Sequence, residues 1–451
     1  MWPLAAFGGR SATVAIPFSA ASLLLAVAVT FWRGPKPRPG PLEYALAAIL
    51  LFTVMQVLPL PGGLVATLSP HAWNLRRALL VDPSTARSWE PLSIDQRATV
   101  WAALVTLGAS ALFVAARRVF SRGGVRQTVR GISGMGLAVS AIAIAQAATA
   151  GRLIYWRFRT EYEGPLPFGP FVNRNHFATW AIMAAPVCFG YVVARANKPA
   201  PPPGSLVNPR TRLARLADGR TLWLTAAGAC MISALLLSLS RSGIVSLSVA
   251  GIVGLLTLRP RAAVGRGVWL LAGVLVAVGL GIAFADLPAV ADRFTRSGSG
   301  IENRVAIWRE TIPVVRDFWL VGTGAGTYRT AMLFYQKSVR IVQFNQAHNH
   351  YLQVASEGGL VLLTMVAGAL VGLTRAVRAR LSADIHGTYW LRAGAVTGLI
   401  AVALQSVWET GLVMPANAAL AAVLAAIAVH ERLPAEKSIL STDAAETGRG
   451  H

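Results

Sequence analysis

The chain has 451 residues, 54% of them hydrophobic and 14% charged, where a soluble globular chain carries about 25% charged residues. That balance excludes an ordinary soluble domain, and two cysteines inside apolar runs exclude a disulfide framework. The formal charge of +23 suits nucleic acid at first sight, but its distribution along the chain excludes that reading too.

Runs 11–32, 98–116, 131–151, 176–194, 222–240 and 268–285 contain no Asp, Glu, Lys or Arg. A spanning helix needs about 20 apolar residues, so each qualifies. Weaker runs at 42–58, 242–258, 351–374, 393–408 and 410–429 raise the expectation to about eleven spans, within about ten to twelve. The fold class expected is an all-α integral membrane protein, a polytopic helical bundle. The first run is too long for a cleavable signal peptide and lacks its basic leader. Cys188 and Cys230 fall inside spans and read as small apolar packers.

The loops alternate in charge. Loops 33–41, 117–130, 195–221, 259–267 and 375–392 hold 21 Lys or Arg in 77 residues, against 16 in 126 for 59–97, 151–175 and 286–347. Basic residues gather in short cytoplasmic loops, which sets the N-terminus outside and the C-terminus inside. Some of this charge suits contact with anionic membrane lipid. Loop 59–97 carries several prolines, with Trp73 and Trp89 expected at headgroup depth. Linker 196–221 opens on a proline run that cannot be helical. In loop 286–347 the spacing of Ile301, Val305, Trp308 and Ile312 predicts an amphipathic helix. Pro313 and the glycines from Gly322 to Gly326 are expected to break that loop into short pieces forming a small cap. The organisation expected is a bundle over 11–285 that includes loop 59–97 and linker 196–221, a large outside loop over 286–350, C-terminal spans over 351–430, and a disordered polar tail over 431–451. No repeat of fixed period is present.

Four polar clusters sit on the expected outside face. Ser240-Arg241-Ser242-Gly243 interrupts two apolar runs and predicts a tight hairpin with Arg241 at its tip. Arg241 reads either as snorkelling to lipid phosphate or as a functional cation. Asn303-Arg304 with Trp308 lies in the long loop, among Arg293, Arg296, Arg309, Arg316, Arg329, Lys337 and Arg340. A guanidinium fork matches phosphate oxygens two at a time, yet most of these cations have Asp286, Asp292, Glu302, Glu310 or Asp317 nearby in sequence. His348-Asn349-His350 with Glu357 opens a span. An imidazole can take a proton from a hydroxyl group near neutral pH. In a helix, residues 348 and 350 would point about 200° apart, so one task for both is not expected. The fourth cluster is Asn173-Arg174-Asn175-His176 at the start of another span. There Asn175 reads equally as a helix cap or as part of a sugar site. Gly322, Gly324 and Gly326 lack the Gly-Lys-Ser/Thr ending of a phosphate loop and read as a tight turn. No His-Glu-x-x-His pattern marks a zinc site, so no metal or cofactor is expected.

In this order and spacing, Ser-Arg-Ser-Gly (240–243), Asn-Arg-x-x-x-Trp (303–308), Gly-x-Gly-x-Gly-Thr-Tyr (322–328) and His-Asn followed after nine residues by Gly (348–359) resemble the O-antigen ligase and O-antigen polymerase (Wzy-type) superfamily of bacterial membrane glycosyltransferases. Asn-Arg-Asn-His-Phe-Ala (173–178) also looks like a run seen in many members. The resemblance covers about 170–375; Leu362 departs from it, standing where ligases often have a small residue or Tyr. It implies a GT-C-like enzyme of the bacterial inner membrane, with its site on the periplasmic side. Such an enzyme passes a glycan from undecaprenyl diphosphate to a hydroxyl of another lipid-linked glycan, of lipid A-core, or of a protein. It implies no nucleotide sugar and no metal, and a flippase or chain-length regulator as protein partners. Carried onto this sequence, Arg241 and Arg304 would bind the diphosphate and His348 would take the acceptor proton. Asn349 and Glu357 would hold the imidazole or the acceptor, with Trp308, Asn173, Arg174 and His350 as further substrate-binding residues.

Two other classes compete. A flippase or transporter for lipid-linked sugars would show inverted repeats and broken helices. An intramembrane serine protease would need a Gly-x-Ser elbow, which Ser242 lacks.

Overall fold

The charge-free runs are helices. In the computed structural model the described residues are 2–9, 12–32, 36–85, 87–150, 152–159, 166–196, 218–257, 298–338, 343–384 and 388–431. The expected span 268–285, most of linker 196–221, the tail beyond 431, and Arg293, Arg296, Arg340, Asp286 and Asp292 lie outside them.

After a one-turn helix at Trp2–Ala5, the helices are α1 (Ala12–Thr30), α2 (Pro41–Met55), α3 (Gly62–Leu68), α4 (Pro70–Ala78), α5 (Gln96–Phe120), α6 (Val125–Ala150) and α7 (Arg174–Ala196). They continue with α8 (Gly219–Leu237), α9 (Arg241–Thr257), α10 (Gly298–Asp317), α11 (Tyr328–Tyr335), α12 (His350–Ala383), α13 (Tyr389–Gln405) and α14 (Pro415–Val429). Four two-residue strands form two small antiparallel ribbons, 60–61 with 89–90 and 153–154 with 158–159. By length and composition α5, α6, α7, α8 and α12 can cross a membrane, and α1, α2, α9 and α14 contain shorter apolar helices. This is a helical membrane protein; a total of eleven crossings is not established by these lengths.

The centre of the bundle is α7. Every residue from His176 to Val193 is buried, and α6, α8, α9, α13 and α14 pack around it. Its closest neighbour is α13, and the approach depends on glycine. A methyl group added at Gly394 would lie 2.4 Å from the Pro186 carbonyl oxygen, and one at Gly190 would lie 2.4 Å from that of Trp390. Small residues let membrane helices approach to backbone contact, where dispersion and weak polar contacts replace the missing hydrophobic drive. The sharp turn at 238–240 between α8 and α9 is as expected, but the two helices then diverge, and α9 packs on α13 and α7.

At one end of the bundle, loop 56–95 joins segment 298–349 in a cap. Its core is Ala72, Ile307, Val314, Phe318, Tyr328, Ala331, Met332 and Ala347. Two expectations are corrected here. The buried face of α10 is Ile307, Thr311 and Val314, continued by Phe318 just past its end, whereas Ile312 is 58% exposed. The helix has two apolar rows, and the one facing Tyr328 and Met332 of α11 is the one that packs. In addition, α10 runs through Pro313 to Asp317. Packing of Val314 and Phe318 outweighs the single backbone bond that proline removes.

The cap is fastened at a break in α12. Gly359 takes φ 59°, ψ −158°, a conformation essentially restricted to glycine. The break frees backbone groups, and segment 319–324 satisfies them. Leu360 and Val361 donate to the Trp319 and Leu320 carbonyls (2.7 and 3.1 Å), while Thr323 and Gly324 donate to those of Ser356 and Glu357 (3.0 and 2.9 Å). Gln56, at the end of α2, donates to the Val321 and Glu357 carbonyls and accepts from Ala325 N–H. Leu362 fills the cluster of Phe52, Val65, Leu92 and Val321 beside this latch.

Candidate active site

Four segments distant in sequence meet at the junction of cap and bundle, around one carboxylate. Glu409 lies in the turn after α13 and its side chain is 1% exposed. One oxygen, Oε1, accepts from Arg304 Nη2 of α10 (2.6 Å) and from Asn175 Nδ2 of α7 (2.5 Å). The other, Oε2, lies 3.5 Å from His348 Nδ1. Burial pushes this carboxyl's pKa up. The His348 hydrogen bond and the charges of His348, Arg304 and His176 outweigh burial and hold it below its ordinary value. Arg304 and His348 stay about one quarter exposed, at 25% and 27%, so both reach from the buried carboxylate toward the surface.

The backbone around His348 is stitched in place. Trp308, one turn beyond Arg304 on α10, donates its indole N–H to the Ala347 carbonyl (2.9 Å). Ala347 N–H donates to Gln353 Oε1 (3.2 Å). On the far side, His350 N–H donates to the Ser406 carbonyl (2.7 Å), and Thr410 Oγ1 donates to Gln346 Oε1 (2.8 Å). Between these ties His348 adopts φ 49°, a left-handed conformation that a non-glycine residue takes at a cost. With Nδ1 turned to Glu409, Nε2 is the nitrogen left for a ligand.

Several expected roles fall differently. Asn349 caps α12, its Oδ1 accepting from Leu352 N–H (3.0 Å). Glu357 is not the imidazole's carboxylate: it accepts from Gly326 N–H (2.8 Å), Tyr328 N–H (3.3 Å) and Gln353 Nε2 (3.0 Å), and so holds the glycine turn. Asn173 rather than Asn175 caps α7, accepting from Asn175 N–H (2.9 Å). That frees the Asn175 amide for Glu409. The ring Nδ1 of His350 is buried with no hydrogen-bond partner among the described residues. His348 precedes α12, so the helical argument about residues 348 and 350 does not apply. Arg241 is exposed at the first turn of α9. A methyl group at Gly243 would sit 2.9 Å from Ala178 Cβ, which places Arg241 at the same end of the bundle as the first turn of α7. Arg174 begins α7, its N–H bonded to the Leu166 carbonyl. The side chain of Asn303 lies outside the described residues.

Glu409, the residue on which the others converge, is not among the residues expected from the sequence. The signal was a lone carboxylate between two apolar runs, 393–408 and 410–429. Ionisable residues at such places are retained for use more often than by chance.

Fold and site together define a multi-pass helical membrane protein with a buried carboxylate pairing an arginine and a histidine where its helices end. Residues 226–367 match the family model described as O-Antigen ligase (Wzy_C), a likeness over about a third of the chain that supports the O-antigen ligase/polymerase superfamily. The matched segment holds Arg241, Arg304, Trp308, His348 and the break at Gly359; Asn175 and Glu409 lie outside it. No curated protein matches the chain.

Proposed function

We propose that this protein transfers a glycan from undecaprenyl diphosphate to an acceptor hydroxyl at the periplasmic face, in assembly of a surface polysaccharide. The observation that carries the proposal is the convergence of Arg304, His348 and Asn175 on buried Glu409. Family-level glycan transfer needs two things from such a site: stabilisation of a leaving diphosphate and an oriented base. Glu409 takes one guanidinium nitrogen and fixes the rotamer of Arg304. The exposed remainder of the fork binds phosphate oxygens, and Arg241 adds a second cation. His348 keeps its Nδ1 proton toward Glu409 and presents Nε2 to the acceptor.

In the proposed step the acceptor oxygen attacks the anomeric carbon and the bond from that carbon to the diphosphate oxygen breaks. The electron pair leaves with undecaprenyl diphosphate, and the hydroxyl proton passes to Nε2. A single in-line displacement inverts the anomeric centre. The imidazole then returns its proton to solvent or to the leaving group. Every one of these steps uses groups of this chain, and none is routed through a metal or cofactor.

The broken helix α12 is a feature that the transporter reading also expects. Its freed backbone groups are taken up by 319–324, which favours a rigid enzyme scaffold over an ion-binding break. The test is transfer by purified protein in detergent, where no second compartment exists. Lipid-linked glycan should be converted by the wild type and not by His348→Ala at equal protein level. Arg304→Lys should also fail, because an ammonium cannot replace the fork. Wild-type turnover by His348→Ala removes the proposed base, and full activity of the lysine variant replaces recognition by the fork with simple charge attraction.

A further inference from the structure

Loop 56–95 carries a second cationic feature that the transfer reaction does not use. Trp73, Arg76, Arg77, Leu80, Arg87 and Glu90 line a small open notch beside α4. Arg76 is held at its base. Its Nη2 donates to the Ser93 carbonyl (2.5 Å) and its Nε lies 3.7 Å from Glu90. Its Nη1 is buried and has no hydrogen-bond partner among the described residues. Burial pushes the Arg76 pKa down and Glu90 pushes it back up, so this cation is short of compensation. Arg77 stacks on the Trp73 ring with its guanidinium carbon 4.0 Å from the ring centre. Three guanidinium groups thus face one carboxylate, an excess of two positive charges.

Next to the lining residues in sequence, Leu79, Val81 and Trp89 are exposed apolar side chains, Val81 fully, with exposed Asp82 beside Val81. Both ends of the loop run into membrane-type helices, α2 at Met55 and α5 at Gln96. The notch thus belongs to a loop tied at both ends to the bundle's end, and its Trp73 is of the type that gathers at membrane–water interfaces. Apolar side chains that would be wasted in water are buried if they enter the boundary between headgroups and acyl chains.

We infer that this notch binds the phosphate of an anionic phospholipid headgroup, with Leu79, Val81 and Trp89 seated in the adjoining leaflet. A phosphodiester supplies one negative charge and two oxygens, which a guanidinium fork meets in pairs. The inference stands apart from the transfer reaction, because none of the six lining residues belongs to the Glu409 cluster. The same phosphate chemistry is present in the undecaprenyl diphosphate donor, so the test must separate the two sources.

The full chain, purified in neutral detergent, is titrated with phosphatidylglycerol, phosphatidylcholine or undecaprenyl diphosphate and read by native mass spectrometry. One phosphatidylglycerol should be retained more tightly than phosphatidylcholine. The double variant R76Q/R87Q should bind it at least tenfold more weakly, with undecaprenyl diphosphate binding unchanged. Should the Arg76 change impair folding, exposed Arg87→Gln alone should weaken phosphatidylglycerol binding about threefold. A spin label at Val81→Cys in vesicles should report headgroup depth. Unchanged phosphatidylglycerol binding in both variants overturns the inference, as does a label reporting bulk water. Loss of undecaprenyl diphosphate instead of phospholipid also overturns it and assigns the notch to the donor. Transfer in detergent at saturating donor should survive R76Q/R87Q, so failure here is distinct from failure of the proposed reaction.

Discussion

A carboxylate that is 1% exposed carries a desolvation cost that only good pairing offsets. Glu409 has three donors on two oxygens, and removing its charge leaves Arg304 and His348 competing for water. Glu409→Gln should therefore lower transfer about 10- to 100-fold, the usual penalty for losing the group that orients a working histidine. The pH dependence follows from the direction of the shift. A carboxyl held below its ordinary value contributes stability that is complete above the usual carboxylate range and is lost as pH falls through the lowered value. The melting-temperature gap between wild type and Glu409→Gln should be widest near neutral pH and close below about pH 4. A gap that stays constant from pH 7 to pH 3 would show that this carboxylate is not held by the cluster. At this scale half of the site was legible in the sequence. Arg304 and Trp308 stood out through Asn-Arg-x-x-x-Trp in the long outside loop, and His348 through a polar cluster at the start of a span, a place where such residues are scarce in so apolar a chain. Glu409 and the role of Asn175 were hidden, because the two residues are 234 positions apart and only the packing of α7 on α13 brings them together.

Secondary-structure elements were easier to read than their irregularities. Ten of the eleven expected apolar segments are helical over most of their length and the eleventh lies outside the described residues. The break in α12 was not visible, because the run 351–374 reads as one span through Gly358-Gly359 and the partner that stabilises the break, segment 319–324, is distant in sequence. The face of α10 was misread for a related reason: two apolar rows compete, and only α11 decides between them. Gly359→Ala tests the latch. A methyl group there would lie 2.5 Å from the Leu320 carbonyl carbon and oxygen, backbone atoms that cannot step aside, at a φ of 59°. The expected cost is roughly 1–3 kcal/mol for the strained conformation alone, with faster proteolysis of 318–330 as the cap loosens. An unchanged melting temperature and cleavage rate would mean that the break is not what holds the cap. Gly322→Ala should behave alike, since its methyl group would meet the Glu357 backbone carbonyl carbon at 2.2 Å.

Across the whole molecule, the site exists because two antiparallel helices are held at one spacing along their length. Gly190 faces Trp390, Gly394 faces Pro186, Gly398 faces Met183, and beyond the helix end Gly411 faces Thr179. The last of these contacts is beside Asn175 and Glu409. Gly394 is 15 positions before Glu409, and the helical stretch from it to Gln405 alone rises about 16 Å at 1.5 Å per residue, yet a side chain there acts on the site through helix spacing. Alanine at Gly394 must push apart two backbones, because its nearest contacts are the Pro186 carbonyl and the Val187 Cα at 2.4 and 2.9 Å. Overpacking of this kind costs roughly 1–3 kcal/mol. A displacement of about 1 Å at a working group can cost about 100-fold in rate. Gly394→Ala should thus lower both melting temperature and transfer, although it touches no site residue. Gly368→Ala is the control, since a methyl group there meets nothing within 4 Å, and it should leave transfer intact and raise helix stability slightly. If Gly394→Ala transfers glycan at the wild-type rate with an unchanged melting temperature, the spacing of α7 and α13 is not what aligns Asn175 with Glu409. The alignment would then have to come from the cap, through the ties that bind 346–350 to 406–410.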